Sequence, residues 1–145
     1  MSTHDVRVQR SSICGCARTR RTVTEFVLDA CRRSHEPLPP SSGDRLMASD
    51  GAAIRFHASL QGDEIADVRY EASSCATLIA YAELLGDFVV GKPIVRVAAL
   101  APRTLIELLP GVPRERQERA IIVAQAWSSA IATAWQSEHQ DRSER

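Results

Sequence analysis

Lysine is almost missing from this chain: seventeen of its eighteen basic residues are Arg, and Lys92 is the single Lys. Schiff-base or phosphate-loop chemistry that needs a lysine would therefore rest on one residue, held between Gly91 and Pro93. Cysteine is scarce and uneven. Cys14, Cys16 and Cys31 crowd the first third and Cys75 stands alone; beyond it there is no cysteine, and no histidine before His139. An excess of either charge is missing too, since 18 basic and 18 acidic residues give a net charge of 0. That excludes a generally polycationic nucleic-acid binder. The longest apolar stretch, Ala120 to Trp135, is interrupted by Gln125, Ser128 and Ser129, too short and broken to span a bilayer. The start, Met1-Ser2-Thr3-His4-Asp5, lacks a basic head followed by an apolar core, so no secretory signal is expected. Also absent are a Gly-rich phosphate loop, HExxH and GxSxG. Few thiols and no export signal predict a cytoplasmic protein with reduced cysteines, binding neither nucleic acid nor membrane.

What is present fits one globular domain. The 145 residues are 44% hydrophobic and 25% charged, enough to bury a core without staples. Residues 1–21 are polar and basic and read as a flexible arm; 22–137 read as one domain, and 138–145 as a polar tail. Thr22 or Thr24 can cap a helix running to about Arg33, with Phe26, Val27, Ala30 and Cys31 on neighbouring turns. Three prolines, two serines and a glycine between Glu36 and Gly43 make an extended crossover. From Ile54 the period becomes two. Ile54, Phe56, Ala58 and Leu60 face one way, and Arg55, His57 and Ser59 the other; Gln61-Gly62-Asp63 turns the chain. Ile65, Val68 and Tyr70 mark a second strand whose phase slips near Ala66. Ser73 and Ser74 offer capping oxygens to a helix carrying Cys75, Ala76, Leu78, Ile79, Ala82, Leu85 and Val89, stopped by Gly91 and Pro93. Two shorter helices are broken by Pro102. A last helix begins near Arg114, with a stripe at Ile121, Ala124, Ser128, Ile131 and Trp135. The expected architecture is two-layered α+β: helices on one face of a small antiparallel sheet.

Cys75 is the residue most suggestive of chemistry. It sits where a strand gives way to a helix, and exposed N–H groups with the helix field lower a thiol pKa there. The position suits a persulfide carrier, a metal ligand or a nucleophile; the plainer alternative is a small buried hydrophobe. His57 lies on the wetter side of its strand and reads as a surface histidine more readily than as a ligand. Cys14 and Cys16 could contact a soft metal, although a CxC in a tail has no partners in the sequence. Arg114, Arg116 and Arg119 open the last helix, where the dipole disfavours cations. A mixed solvated face or an anion-holding strip would account for them.

From Asp50 to Lys92 the chain runs through a strand, an acidic hairpin, Val68-Arg69-Tyr70, then Ser74-Cys75-Ala76 and a helix closing at Val90-Gly91-Lys92. In these features it resembles the iron–sulfur cluster assembly scaffold family, of the IscU and NifU amino-terminal type. More loosely it extends over about residues 22–135. The resemblance implies a three-stranded antiparallel sheet packed against several helices. It implies a non-enzymatic role: receiving sulfur from a cysteine desulfurase and iron from a donor, building a cluster and passing it to a recipient protein. Its ligand set is depleted here. Cys75 matches the second ligand. The first falls on Asp50, with Ala52 in place of the assisting aspartate, or in a gapped alignment on Ser42-Gly43-Asp44. The third region falls on Arg119 and Ala120, or without a gap on Glu115 and Arg116. Asp50 and Asp44 thus join Cys75 as candidate ligands for an iron–sulfur cluster or a single metal ion. Leu109, Pro110 and Val112 match part of the family's chaperone-contact run, which is altered at Gly111 and Pro113 and so argues against chaperone coupling. The depleted set also admits an interaction subunit that kept the scaffold fold without a cluster.

Overall fold

The computed structural model describes residues 22–32 and 37–144. Cys14 and Cys16, and the arm assigned to residues 1–21, lie outside the described residues.

Helix α1 (Val23–Arg32) begins as its sequence demands. The Thr22 hydroxyl accepts from the Glu25 amide at 3.2 Å, and the Thr22 amide donates to the Glu25 carboxylate at 3.1 Å. This reciprocal pair satisfies two donors that a helix start leaves open. Phe26 and Ala30 turn inward, whereas Cys31 is exposed.

Strand β1 (Leu46–Met47) pairs with β2 (Ala53–Gln61), and β2 with β3 (Glu64–Ala72), in an antiparallel sheet of order β1-β2-β3. The period-two pattern is realised: Ile54, Phe56 and Ala58 are buried, while Arg55, His57 and Ser59 on the other face are half-exposed. The phase slip near Ala66 is a bulge. Ser59 pairs with Asp67 and Leu60 with Ile65, so Ala66 is the extra residue. It lets Ile65 reach the core despite the odd spacing to Val68.

Helix α2 (Ala76–Val89) is apolar on several sides because it lies inside the molecule, between α1, the sheet and the last helix. Its one buried carboxylate, Glu83, accepts from the Tyr70 hydroxyl at 2.7 Å. Gly91 ends the segment in the left-handed region, φ +86°, where a glycine is strongly favoured. Helices α3 (Ile94–Val97) and α4 (Pro102–Leu108) are short, and α4 carries its proline in the first turn, where no amide is needed.

The last helix, α5 (Arg119–Glu144), differs from expectation in three respects. It starts five residues later than expected, because Arg114–Arg116 form a separate 3-10 turn behind Pro113. Its buried stripe is Ala120, Val123, Ala124, Ala126, Trp127, Ala130 and Ile131, whereas Ile121, Ser128 and Trp135 are exposed. The residues assigned to a polar tail continue the helix to Glu144. Trp127 anchors the packing: its ring stands edge-on to Phe56, centroids 6.0 Å apart, and its Nε1–H donates to the Val97 carbonyl at 2.8 Å. Burying such a ring contributes several kcal/mol at about 25 cal/mol per Å². Among the described residues no helix is long and apolar enough to cross a membrane.

Candidate functional site

Three element ends converge beside Cys75. The first is the turn between β1 and β2. The Ala48 amide donates to the Ala52 carbonyl, and Gly51 takes a φ of +94° at the tip. The Asp50 carboxylate accepts from the Ala52 amide at 3.2 Å, which holds it at the mouth of the turn. The second is the start of α2, where Cys75 itself is the N-cap residue with extended backbone. Ser73 does not cap the helix as expected; its hydroxyl accepts from the Ala53 amide at 2.9 Å, tying this strand end to β2. The Cys75 side chain makes no full cap hydrogen bond to the first turn of α2. The third is the start of α5, which supplies Arg119.

These ends enclose an open cleft of about 680 Å³ whose lining includes Asp50, Ser74, Cys75, Thr77, Arg116 and Arg119. Arg119 is its main electrostatic feature. The side chain is only 3% exposed, and its guanidinium reaches Asp50 at 2.5 Å and Glu118 at 3.3 Å. Its Nε–H is buried without a hydrogen-bond partner. Such a donor costs about 1–3 kcal/mol in a folded protein, so it asks for a reason.

The shifts in proton affinity follow from this geometry. Hydrogen bonding from Arg119, helped by the Ala52 amide, holds the Asp50 carboxyl below its usual range. For Cys75 the largest influence is burial, which raises its pKa. The Leu78 amide, the Arg119 hydrogen bond and charge, and the Thr77 amide together outweigh burial and leave the thiol below its ordinary value. Arg119 is in turn held protonated by Asp50 first and by Cys75 second. The cleft thus favours sulfur in its anionic form.

The other sequence candidates lie elsewhere. Asp44 is exposed, and its amide donates to the Ser129 hydroxyl at 2.8 Å, well along α5 and outside the cleft lining. Of the two alignments, the ungapped one brings its aspartate to Cys75. Ala52 lines the cleft but has no ligating group, and Ala120 is fully buried. Arg116 lines the cleft, whereas Glu115 is outside its lining. His57 stands on the outer face of β2 opposite Arg69; burial first, then Arg69, lowers its pKa, and Asp67 opposes them. Leu109 and Val112 need correction as contact residues. They are 1% and 6% exposed and belong to the core, leaving only Pro110 at the surface. Among the described residues no three His, Cys, Asp or Glu side chains come together in a way that could hold a metal ion. Sequence reasoning placed Arg119 as a lost ligand position and in a solvated or anion-holding strip, but did not join it to Cys75 and Asp50. The available signal was the cation at a helix start, an unfavourable place unless something anionic faces it.

The family model described as "NifU-like N terminal domain" matches residues 36–140. The chain belongs to this family. NifU-like N-terminal domains are iron–sulfur cluster assembly scaffolds, and the function of this protein is accordingly scaffold-like. No curated protein matches the chain. Among solved structures, a hypothetical protein determined at 2.3 Å is 18% identical, with 81% of this chain and 94% of that one covered and a TM-score of 0.46. The N-terminal part of a nitrogen-fixing NifU-like protein from Brucella abortus is 18% identical, with coverages of 71% and 75% and a TM-score of 0.40. A candidate scaffold protein for the SUF system from Fervidobacterium islandicum is 16% identical, with coverages of 76% and 91% and a TM-score of 0.41. Within the NifU-like family, this member carries a guanidinium beside its cleft cysteine.

Proposed function

We propose that this NifU-like protein is a sulfur acceptor: Cys75 takes up and passes on sulfane sulfur, while the chain's own side chains do not hold a cluster. The observation that carries this reading is Arg119, a buried cation paired with Asp50 in the cleft that Cys75 lines. Iron–sulfur clusters are held by several thiolates. Here there is one thiol, one carboxylate already engaged by a guanidinium, and a second guanidinium on Arg116 lining the same cleft. Such a set repels ferrous ions. It suits a thiolate and the persulfide anion formed from it.

The transfer balances without an oxidant. The Cys75 thiolate attacks the outer sulfur of a donor persulfide, R–S–SH; the donor's S–S bond breaks and R–S⁻ leaves. Cys75–S–SH is formed, and neutral sulfur has moved from one thiol to another. Amide groups at the start of α2 and the Arg119 guanidinium favour the attacking anion and the product persulfide alike. The partners implied are a cysteine desulfurase presenting the persulfide and a recipient protein, in the cytoplasm, with no reaction catalysed by this chain itself.

The test is incubation of the reduced protein with a small-molecule persulfide, followed by peptide mass analysis. The Cys75 peptide should gain one sulfur atom, and Cys75→Ala should abolish the gain at that position. Unmodified Cys75 with persulfide on Cys31 alone would sink the reading. The depleted ligand set also favours an interaction subunit that keeps the fold. That reading predicts a partner captured equally by the native protein and Cys75→Ala, with no sulfur on either.

A further inference from the structure

We propose that the cleft takes a small sulfur-donating oxyanion of the thiosulfate class, so that Cys75 can be charged without a protein donor. This rests on the sulfur-acceptor reading above and adds a substrate to it. Three observations point to an anion rather than a neutral ligand. Arg119 lines the cleft with a side chain only 3% exposed, and its Nε–H, sheltered from solvent just behind the cleft wall, has no partner. Arg116 lines the same cleft, so two arginines share its wall with one carboxylate, Asp50, and one thiol, Arg119 being paired with Asp50 and Glu118. Ser74 and Thr77 add hydroxyl groups at the rim, next to the uncapped start of α2. Planar guanidinium donors and hydroxyl groups match the oxygen atoms of a sulfonate-like end. The outer sulfur of the same molecule would then be the atom presented to Cys75. A cleft of about 680 Å³ admits such an anion with its water.

The step is written with thiosulfate as donor. The Cys75 thiolate attacks the sulfane sulfur, the S–S bond of thiosulfate breaks, and sulfite leaves with the bonding electron pair. Cys75–S–S⁻ remains, and one sulfite is released for each persulfide formed. No external oxidant or reductant takes part.

The full chain is reduced, mixed with thiosulfate alone, and followed by peptide mass analysis and by release of sulfite. The expected result is one sulfur on Cys75 with matching sulfite, both lost in Cys75→Ala. Sulfate, which has the oxygens but no transferable sulfur, should compete. Arg116→Gln should raise the half-saturating thiosulfate concentration on the order of tenfold. Arg119→Lys keeps a cation at the buried position and should retain part of the uptake, with circular dichroism reporting the fold. Uptake from a persulfide but none from thiosulfate would overturn the oxyanion proposal and leave the acceptor reading standing. Failure with both donors would overturn both. Thiosulfate uptake indifferent to sulfate and to Arg116→Gln would show chemistry at an exposed thiol without an anion site, and would also overturn it.

Discussion

The two ends of α2 are built on opposite principles. At its C-terminal end several backbone groups are engaged with the β2–β3 hairpin. The Gly91 amide donates to the Ile65 carbonyl, the Ile65 amide to the Lys92 carbonyl, and the Ile94 amide to the Asp63 carbonyl. The sole lysine, Lys92, folds back onto the Phe88 carbonyl and over the Phe88 ring. This end fastens the helix to the tip of the β2–β3 hairpin. At the N-terminal end the cap carries a thiol instead of an oxygen, no full side-chain cap hydrogen bond forms, and a neighbouring guanidinium keeps an unused donor. One end spends its hydrogen bonds on stability. The other leaves some unmade, and amide and guanidinium donors around a sulfur atom are what sulfur-anion chemistry needs.

The sharpest way to break this contrast is Arg119→Met. It removes the cation that favours the Cys75 thiolate, so alkylation of Cys75 by iodoacetamide at neutral pH should slow on the order of tenfold. Stability should change by no more than about 1 kcal/mol, because a buried charge and its unsatisfied donor leave together. Urea unfolding checks the second half, and a large loss of stability would mean that the open end is structural after all. At the closed end, Gly91→Ala should cost about 1 kcal/mol through its positive φ and leave the alkylation rate of Cys75 unchanged. A smaller effect of opposite sign is expected from Cys75→Ser. A hydroxyl is the better N-cap, so urea unfolding should show a gain of about 0.5 kcal/mol while sulfur uptake disappears.

The weakest effect concerns pH. The Cys75 thiol lies below its ordinary value of 9.0 in the folded chain. A depressed acid stabilises the fold fully above its unfolded pKa and loses that contribution as pH falls through the folded one. The stability of the native protein relative to Cys75→Ala should therefore grow as pH rises through the folded value and level off above about 9. Thermal unfolding across that window measures it; a flat difference would mean that the thiol is unperturbed.

The fastened end was the legible one. Alternation from Ile54 to Leu60, the slip at Ala66 and the stop at Gly91-Lys92-Pro93 are local signals, and each appears in the structure as a strand, a bulge and a helix end. The phase of α5 was not legible. Ile121 and Trp135 are larger and more apolar than the Ala residues that turn inward at 120, 126 and 130. At Ala130 a small residue fits because the Gly43 backbone comes close, and no periodicity of hydrophobicity records that. The late start of α5 was hidden for a related reason, since a 3-10 turn and an α-helix share their first residues' preferences. The cleft was half legible. Cys75 stood out by its place in the chain, but Asp50 and Arg119 are 69 residues apart and look like solvated charges until the fold joins them. Leu109 and Val112 misled in the opposite direction, as motif residues that the fold absorbs into its core.

Gly43 gives the open end its precision. A methyl group placed on this residue would stand 2.6 Å from the Ala130 backbone nitrogen, so the strand-side loop and α5 touch main chain to main chain. Ala130 lies about 16 Å along the helix axis from Arg119. A helix held close at that distance from its tip has little room to shift there without parting that contact. The guanidinium beside Cys75 therefore works like a tool in a fixed mount, aimed while the chain folds instead of when the sulfur arrives.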